Sequence, residues 1–188
     1  MTKNVVLNQE VLINMNAKVF IQTELIDGIG KIIDNCPFIA FMAMSAGIEF
    51  LGKCLDTNNG WDKRDSSTYF RNAINKLFPS AYQQANTSDN LYHSLRCGLL
   101  HSCMPDSDLA LSNQGSCFRT IIIEQKPRTI ITCKQLYDDF STACKTVIND
   151  HSLDSKTSTE FYAVEEFNNE SLTAATQTCI VVPAISSK

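Results

Sequence analysis

From Pro37 to Leu55 the chain reads PFIAFMAMSAGIEFLGKCL, apolar on nearly every side, with one acid (Glu49) and one base (Lys53). A helix without a polar face has to be enclosed by other elements. Ala43, Ser45, Ala46 and Gly47 mark where a neighbour can approach closely. This combination predicts the central helix of a bundle and constrains the fold more than any other feature of the sequence. The charge-free part, Asn35 to Ile48, lies between Asp34 and Glu49. It is shorter than the ~20 apolar residues a membrane-crossing helix needs, so a buried helix is expected.

Elements able to enclose it follow from periodicity. Leu12, Met15, Val19, Ile26, Ile29 and Ile33 fall at three-and-four spacing, which predicts one long amphipathic helix from Asn8 to Asp34. The faintly phosphate-loop-like DGIGK of 27–31 falls inside that pattern without a preceding strand, so it reads as helix. TNNGWDKRD is a loop of turn formers. Its Trp61 either anchors the loop on the core or offers a face for a base to stack on. Ser66 or Ser67 caps a third helix that buries Phe70, Ile74, Leu77 and Phe78 and ends at Pro79. Ser88 caps a fourth, terminated near Pro105.

Beyond it, CFRTIII and RTIIT, separated by EQKP, read as two strands of an antiparallel hairpin near 117–132. Thr132 and Gln135 form a capping-box pair for a helix reaching about Asp150, with Leu136, Tyr137, Phe140, Ala143, Cys144, Val147 and Ile148 as its stripe. A helix is expected around Thr159–Phe167, and CIVVPAI is left without assignment. The fold class is therefore mainly α, a helical bundle with a small β-hairpin. A domain of residues 1–150 carries a C-terminal extension, 151–188, packed on it.

With 44% hydrophobic and 19% charged residues, the chain has the composition of an ordinary globular domain. A net charge of −4 gives no global field to draw in nucleic acid or an anionic membrane; a local basic cleft remains compatible with it. The N-terminus lacks the unbroken apolar run of a secretory signal, and no CxxC or zinc-like spacing links the eight cysteines. Reduced thiols in a cytoplasmic protein are expected, with no membrane association and no cofactor.

Functional chemistry concentrates in LYHSLRCGLLHSCMPDSD, residues 91–108. Leu91, Leu95 and Leu99 form a core face. His93, Cys97 and His101 form a second four-apart row, with Arg96 beside it. From i to i+8 this row spans about 12 Å, too far for one zinc ion, so no metal site is expected. Arg96 and His101 lie about 140° apart on an ideal helix, and sharing a site takes the arginine's length or a second copy of the helix. In a purely structural role Arg96 pairs with Asp89 or Glu49, and His101 caps the carbonyls at its helix end. Glu49 itself is expected to pair with Lys53, four residues on.

Arg96-Cys97-Gly98-Leu99-Leu100-His101 resembles the R-x(4–6)-H signature of the HEPN superfamily of α-helical domains, late in a helix that follows other long helices. The segment AGIEFLGK, 46–53, is similar to stretches of prokaryotic HEPN-like proteins. The resemblance implies a homodimer in which two signature helices face each other across a two-fold axis. It implies, as in many members, a metal-independent endoribonuclease, with Arg96 as phosphate clamp and His101 as general acid/base, flanked by His93 and Cys97 as substrate-binding residues. The alternative it carries is a non-catalytic module that holds a nucleotide or a protein, an antitoxin being one such partner. Active members commonly have Asn, Asp or His after the arginine; here the position is Cys97, a weak hydrogen-bonding group.

Overall fold

The computed structural model describes residues 11–61, 63–106 and 108–166. CIVVPAI, Cys179 within it, and the first ten residues lie outside the described residues. The elements are β1 (Val11–Asn16), α1 (Ala17–Phe20), running on through a π-helical segment Ile21–Gly28, and α2 (Pro37–Cys54). Then come α3 (Ser66–Leu77), α4 (Ser80–Ala85), a second π-helical segment Tyr92–Cys97 continuing as α5 (Gly98–Ser102), and the strands β2 (Leu109–Ser112), β3 (Thr120–Ile123) and β4 (Lys126–Thr132). The order closes with α6 (Cys133–Asn149), α7 (Asp154–Thr157) and β5 (Glu160–Glu166). The protein is mainly helical with a small three-stranded sheet.

α2 is the centre. Phe41, Met44, Ile48 and Leu51 are buried along it, against Phe70 and Ile74 of α3 and Leu136, Phe140 and Val147 of α6. Its 18 residues have a mean hydropathy of 1.2, long and apolar enough by composition to cross a membrane, and half of the helix is buried inside the protein. The backbones come close where side chains are missing. A Cβ at Gly52 would lie 1.8 Å from the Tyr69 carbonyl oxygen, and one at Gly47 would lie 2.5 Å from the Phe140 ring.

The long N-terminal helix is not continuous. Val11–Asn16 is a strand, and helix begins only at Ala17, where the Asn16 side chain accepts from the Val19 amide. β1 pairs antiparallel with β5, with Val11 opposite Glu166. A strand therefore also replaces the helix expected over Thr159–Phe167. DGIGK is helical from Asp27 to Gly30, as expected, and Lys31 opens the turn that follows.

The β-hairpin expected near 117–132 is in fact part of a mixed sheet of order β2-β4-β3, with β2 parallel and β3 antiparallel to β4. The turn is shorter than EQKP: Glu124 and Gln125 alone make it, at φ of 51° and 63°, the mirror-image turn that suits strand twist. Pro127 sits inside β4, at a register that β2, which pairs only with Thr129–Thr132, does not reach. Its missing N–H therefore breaks no ladder.

Three caps also differ. α3 begins at Ser66 with Asp65 at its N-cap and no side-chain cap, in place of the cap expected from Ser66 or Ser67. Ser88 is in left-handed conformation with φ 56°, and the next helix is instead fastened by the Asn86 side chain accepting from the Tyr92 amide at 3.0 Å. Thr132 starts α6 without a side-chain cap. Both members of the expected capping box turn to Cys117: its amide donates to Gln135 Oε1 at 2.8 Å, and its Sγ lies 3.3 Å from Thr132 Oγ1.

Candidate functional site

The helix carrying the signature starts in π geometry, whose i→i+5 hydrogen bonds turn residues five apart toward a common face. The Gly98 amide donates to the His93 carbonyl in this pattern. Leu91, Leu95 and Leu99 still face the core, all at most 2% exposed. On the other side, and helped by the arginine's reach, Arg96 Nη1 lies 3.1 Å from His101 Nε2. The contact forms within one chain, so the 140° separation of an ideal helix does not keep the pair apart. A guanidinium only donates, so Nε2 is the accepting nitrogen and the imidazole proton sits on Nδ1.

α5 ends just beyond. Cys103 is left-handed, and the loop folds back so that the Asp106 amide donates to the Ser94 carbonyl at 3.1 Å. The return passes so close to Gly98 that a Cβ there would lie 2.6 Å from the Met104 carbonyl oxygen. His101 is exposed at this end.

Arg96 is fixed from below by α2. Its Nε donates to Glu49 Oε2 at 2.7 Å, the two side chains being 17% and 22% exposed, and the Ser66 hydroxyl donates to Glu49 Oε1 at 2.7 Å. Glu49 is thus the partner of Arg96 and not of Lys53, which lies 5.9 Å from the centre of the Trp61 ring. Asp89, the other acid considered for Arg96, is held by two bonds from Arg71 at 3.0 Å each. Ser66 and Glu49 extend the site beyond the residues the signature names. One acid in an apolar helix was the signal, and Glu49 was one of the two partners expected for Arg96 in a structural role; of these, the structure selects Glu49, 47 positions away.

The two remaining residues of the row stand apart from this contact. His93 is exposed, its ring edge-on to Tyr92 with centroids 5.2 Å apart. Cys97 is half-buried. Burial holds the Tyr92 hydroxyl above its ordinary range, with the Cys97 thiol beside it adding to the rise. Trp61 stacks on Phe50 at 5.7 Å and receives the Lys156 ammonium at 5.0 Å, so it anchors its loop. Among the described residues no three His, Cys, Asp or Glu side chains gather in a way that would hold a metal ion.

A cavity of about 510 Å³ opens beside the Glu49–Arg96 pair. Phe20, Leu25 and Phe50 wall it, Ala43, Ala46 and Gly47 form its floor, and Glu24, Glu49, Lys53 and Arg96 supply its charges. The volume is in the range of small-molecule sites, about 300–1,000 Å³. No family model, curated protein or solved structure matches this chain.

Proposed function

We propose that the protein is a metal-independent endoribonuclease of HEPN type, acting through Arg96 and His101. The observation that carries the reading is the 3.1 Å contact between the Arg96 guanidinium and His101 Nε2, with the arginine anchored by Glu49 and the histidine open to solvent. An imidazole placed to exchange a proton with an RNA 2′-hydroxyl contributes about 10²–10⁴-fold. The guanidinium binds the scissile phosphate and stabilises the charge that grows on it.

The geometry couples the two roles. A phosphate arriving at Arg96 draws Nη1 away from His101 and frees the Nε2 lone pair to accept the hydroxyl proton. In this reading the exposed end of α5 meets its counterpart in a second copy of the chain, so that both pairs flank one phosphate.

One observation favours the second reading, a non-catalytic module holding a nucleotide or a protein. Glu49 already neutralises Arg96, so Glu49, Arg96 and a neutral His101 carry no net charge, and a phosphate has to compete with a carboxylate at 2.7 Å. The two readings separate in one experiment: incubation of RNA with wild type and His101→Ala in EDTA, with mass measured on the same samples. Cleavage by the wild type alone, both proteins being dimeric, is the expected result. Intact RNA with wild type, or equal cleavage by both, removes the enzyme and leaves the binding module.

A further inference from the structure

The cavity beside Arg96 is shaped by departures from ordinary helix. π-Helical residues are rare, well under about 1% of residues, and occur frequently at functional sites. The described chain has two such segments, Ile21–Gly28 and Tyr92–Cys97, and both supply side chains to this cavity: Glu24 and Leu25 from the first, Arg96 from the second. Between them α2 presents Ala43 and Ala46, where longer side chains would fill the space. An apolar hollow with aromatic walls and a guanidinium at its edge suits a flat heterocycle joined to a phosphate.

The rim narrows the choice of heterocycle. Both oxygens of Glu49 are engaged, by Ser66 and by Arg96. Glu24 is exposed on the same cavity, and among the described residues its carboxylate is bonded to nothing. An ionised carboxylate only accepts, through two adjacent oxygens. Of the four RNA bases, guanine alone presents two neighbouring donors, N1–H and N2–H₂, on its Watson–Crick edge, the edge by which unpaired bases are read. Adenine and cytosine offer one amino group beside an acceptor, and uracil one N–H between two. Lys53, on the same rim, offers a donor for guanine O6.

We propose that this cavity is a guanine subsite, in which Glu24 reads the base while the adjoining phosphate lies on Arg96. The proposal rests on the phosphate role given to Arg96 above, and its test does not depend on cleavage. Titration calorimetry with GMP and AMP on the full chain compares wild type, Glu24→Gln and Ala46→Leu. Ala46 is exposed on α2, so leucine there narrows the hollow without entering the core, and a thermal melt on each protein verifies folding. GMP should bind more tightly than AMP. Glu24→Gln should weaken GMP by about 10–100-fold and leave AMP nearly unchanged, as expected for losing a charged double hydrogen bond. Ala46→Leu should weaken both.

Equal affinity for the two nucleotides, or unchanged GMP binding by a folded Ala46→Leu, overturns the subsite. GMP binding by a protein that cuts no RNA keeps the subsite and removes the ribonuclease. Cleavage indifferent to guanine, with no GMP binding, does the reverse.

Discussion

At the scale of single residues, Glu49 carries more than its place in an apolar helix suggests. It accepts from Arg96 and from Ser66, tying the π-helical segment Tyr92–Cys97 and α3 to α2 through one largely buried carboxylate. Removing it leaves a guanidinium, itself only 17% exposed, without its anion. Glu49→Gln should lower stability by about 1–3 kcal/mol, the range for bonds to charged groups. Arg71→Ala, which removes the more exposed bidentate pair with Asp89, should cost at most about 1 kcal/mol. Urea melts of the two variants check this; equal losses would mean that Glu49 is no more than a surface partner. Arg96 and His101 were legible because their spacing is local. Glu49 was visible as an acid out of place and as one of two partners for Arg96, but the choice between Lys53 and Arg96 depends on which helix packs over it.

At the scale of elements, α2 and α3 cross with their backbones in close approach. The missing side chain of Gly52 lets the Tyr69 carbonyl sit where a Cβ would be. Backbone cannot rotate aside as a side chain can, so Gly52→Ala should separate the helices and cost roughly 3 kcal/mol or more. Gly60→Ala, with nothing within 4 Å of its Cβ position, should leave the melting temperature within a degree or two of wild type. Thermal melts that place both variants together would show that the helices tolerate a wider spacing.

The elements that could be read from the sequence are those whose apolar period is long and whose partners are implied by it: α2, α3 and α6. Val11–Asn16 misled, because Leu12 and Met15 continue the helical spacing of Val19 and beyond. What makes this stretch a strand is β5, about 150 positions later in register. β2 is only four residues long and pairs in parallel, so no turn announces it. The π-helical turns follow from packing, not from any residue type, and with them the cavity could not be foreseen.

At the scale of the whole molecule, the core has stored acidity. Burial raises the Cys54 thiol from 9.0 to about 12, and it raises Cys144 further, with Cys54 nearby adding to the effect. Both side chains are fully buried. The folded protein therefore keeps protons that the unfolded chain gives up above pH 9. Stability should be whole below that pH and fall as pH rises toward 12, by roughly 1.4 kcal/mol per thiol for each pH unit. Urea midpoints at about pH 7, 9 and 10 should drop over the last step, and Cys144→Ala should make the drop shallower. A midpoint that does not move would place these thiols in contact with water.

The same inaccessibility gives the molecule an internal clock. Lys156 is 7% exposed; its ammonium donates to the carbonyls of Asp56 and Asn59 and lies over Trp61, so α7 is pinned to the loop that follows α2. Desolvation lowers its pKa, but a reagent that acylates amines has no path to it while α7 stays in place. Labelling of Lys156 should therefore lag far behind that of the exposed Lys145, at a rate set by how often α7 lifts away. Mass spectrometry of the two peptides over time would measure how often the protein opens there, with no denaturant added. If the two lysines label together, α7 is only loosely held.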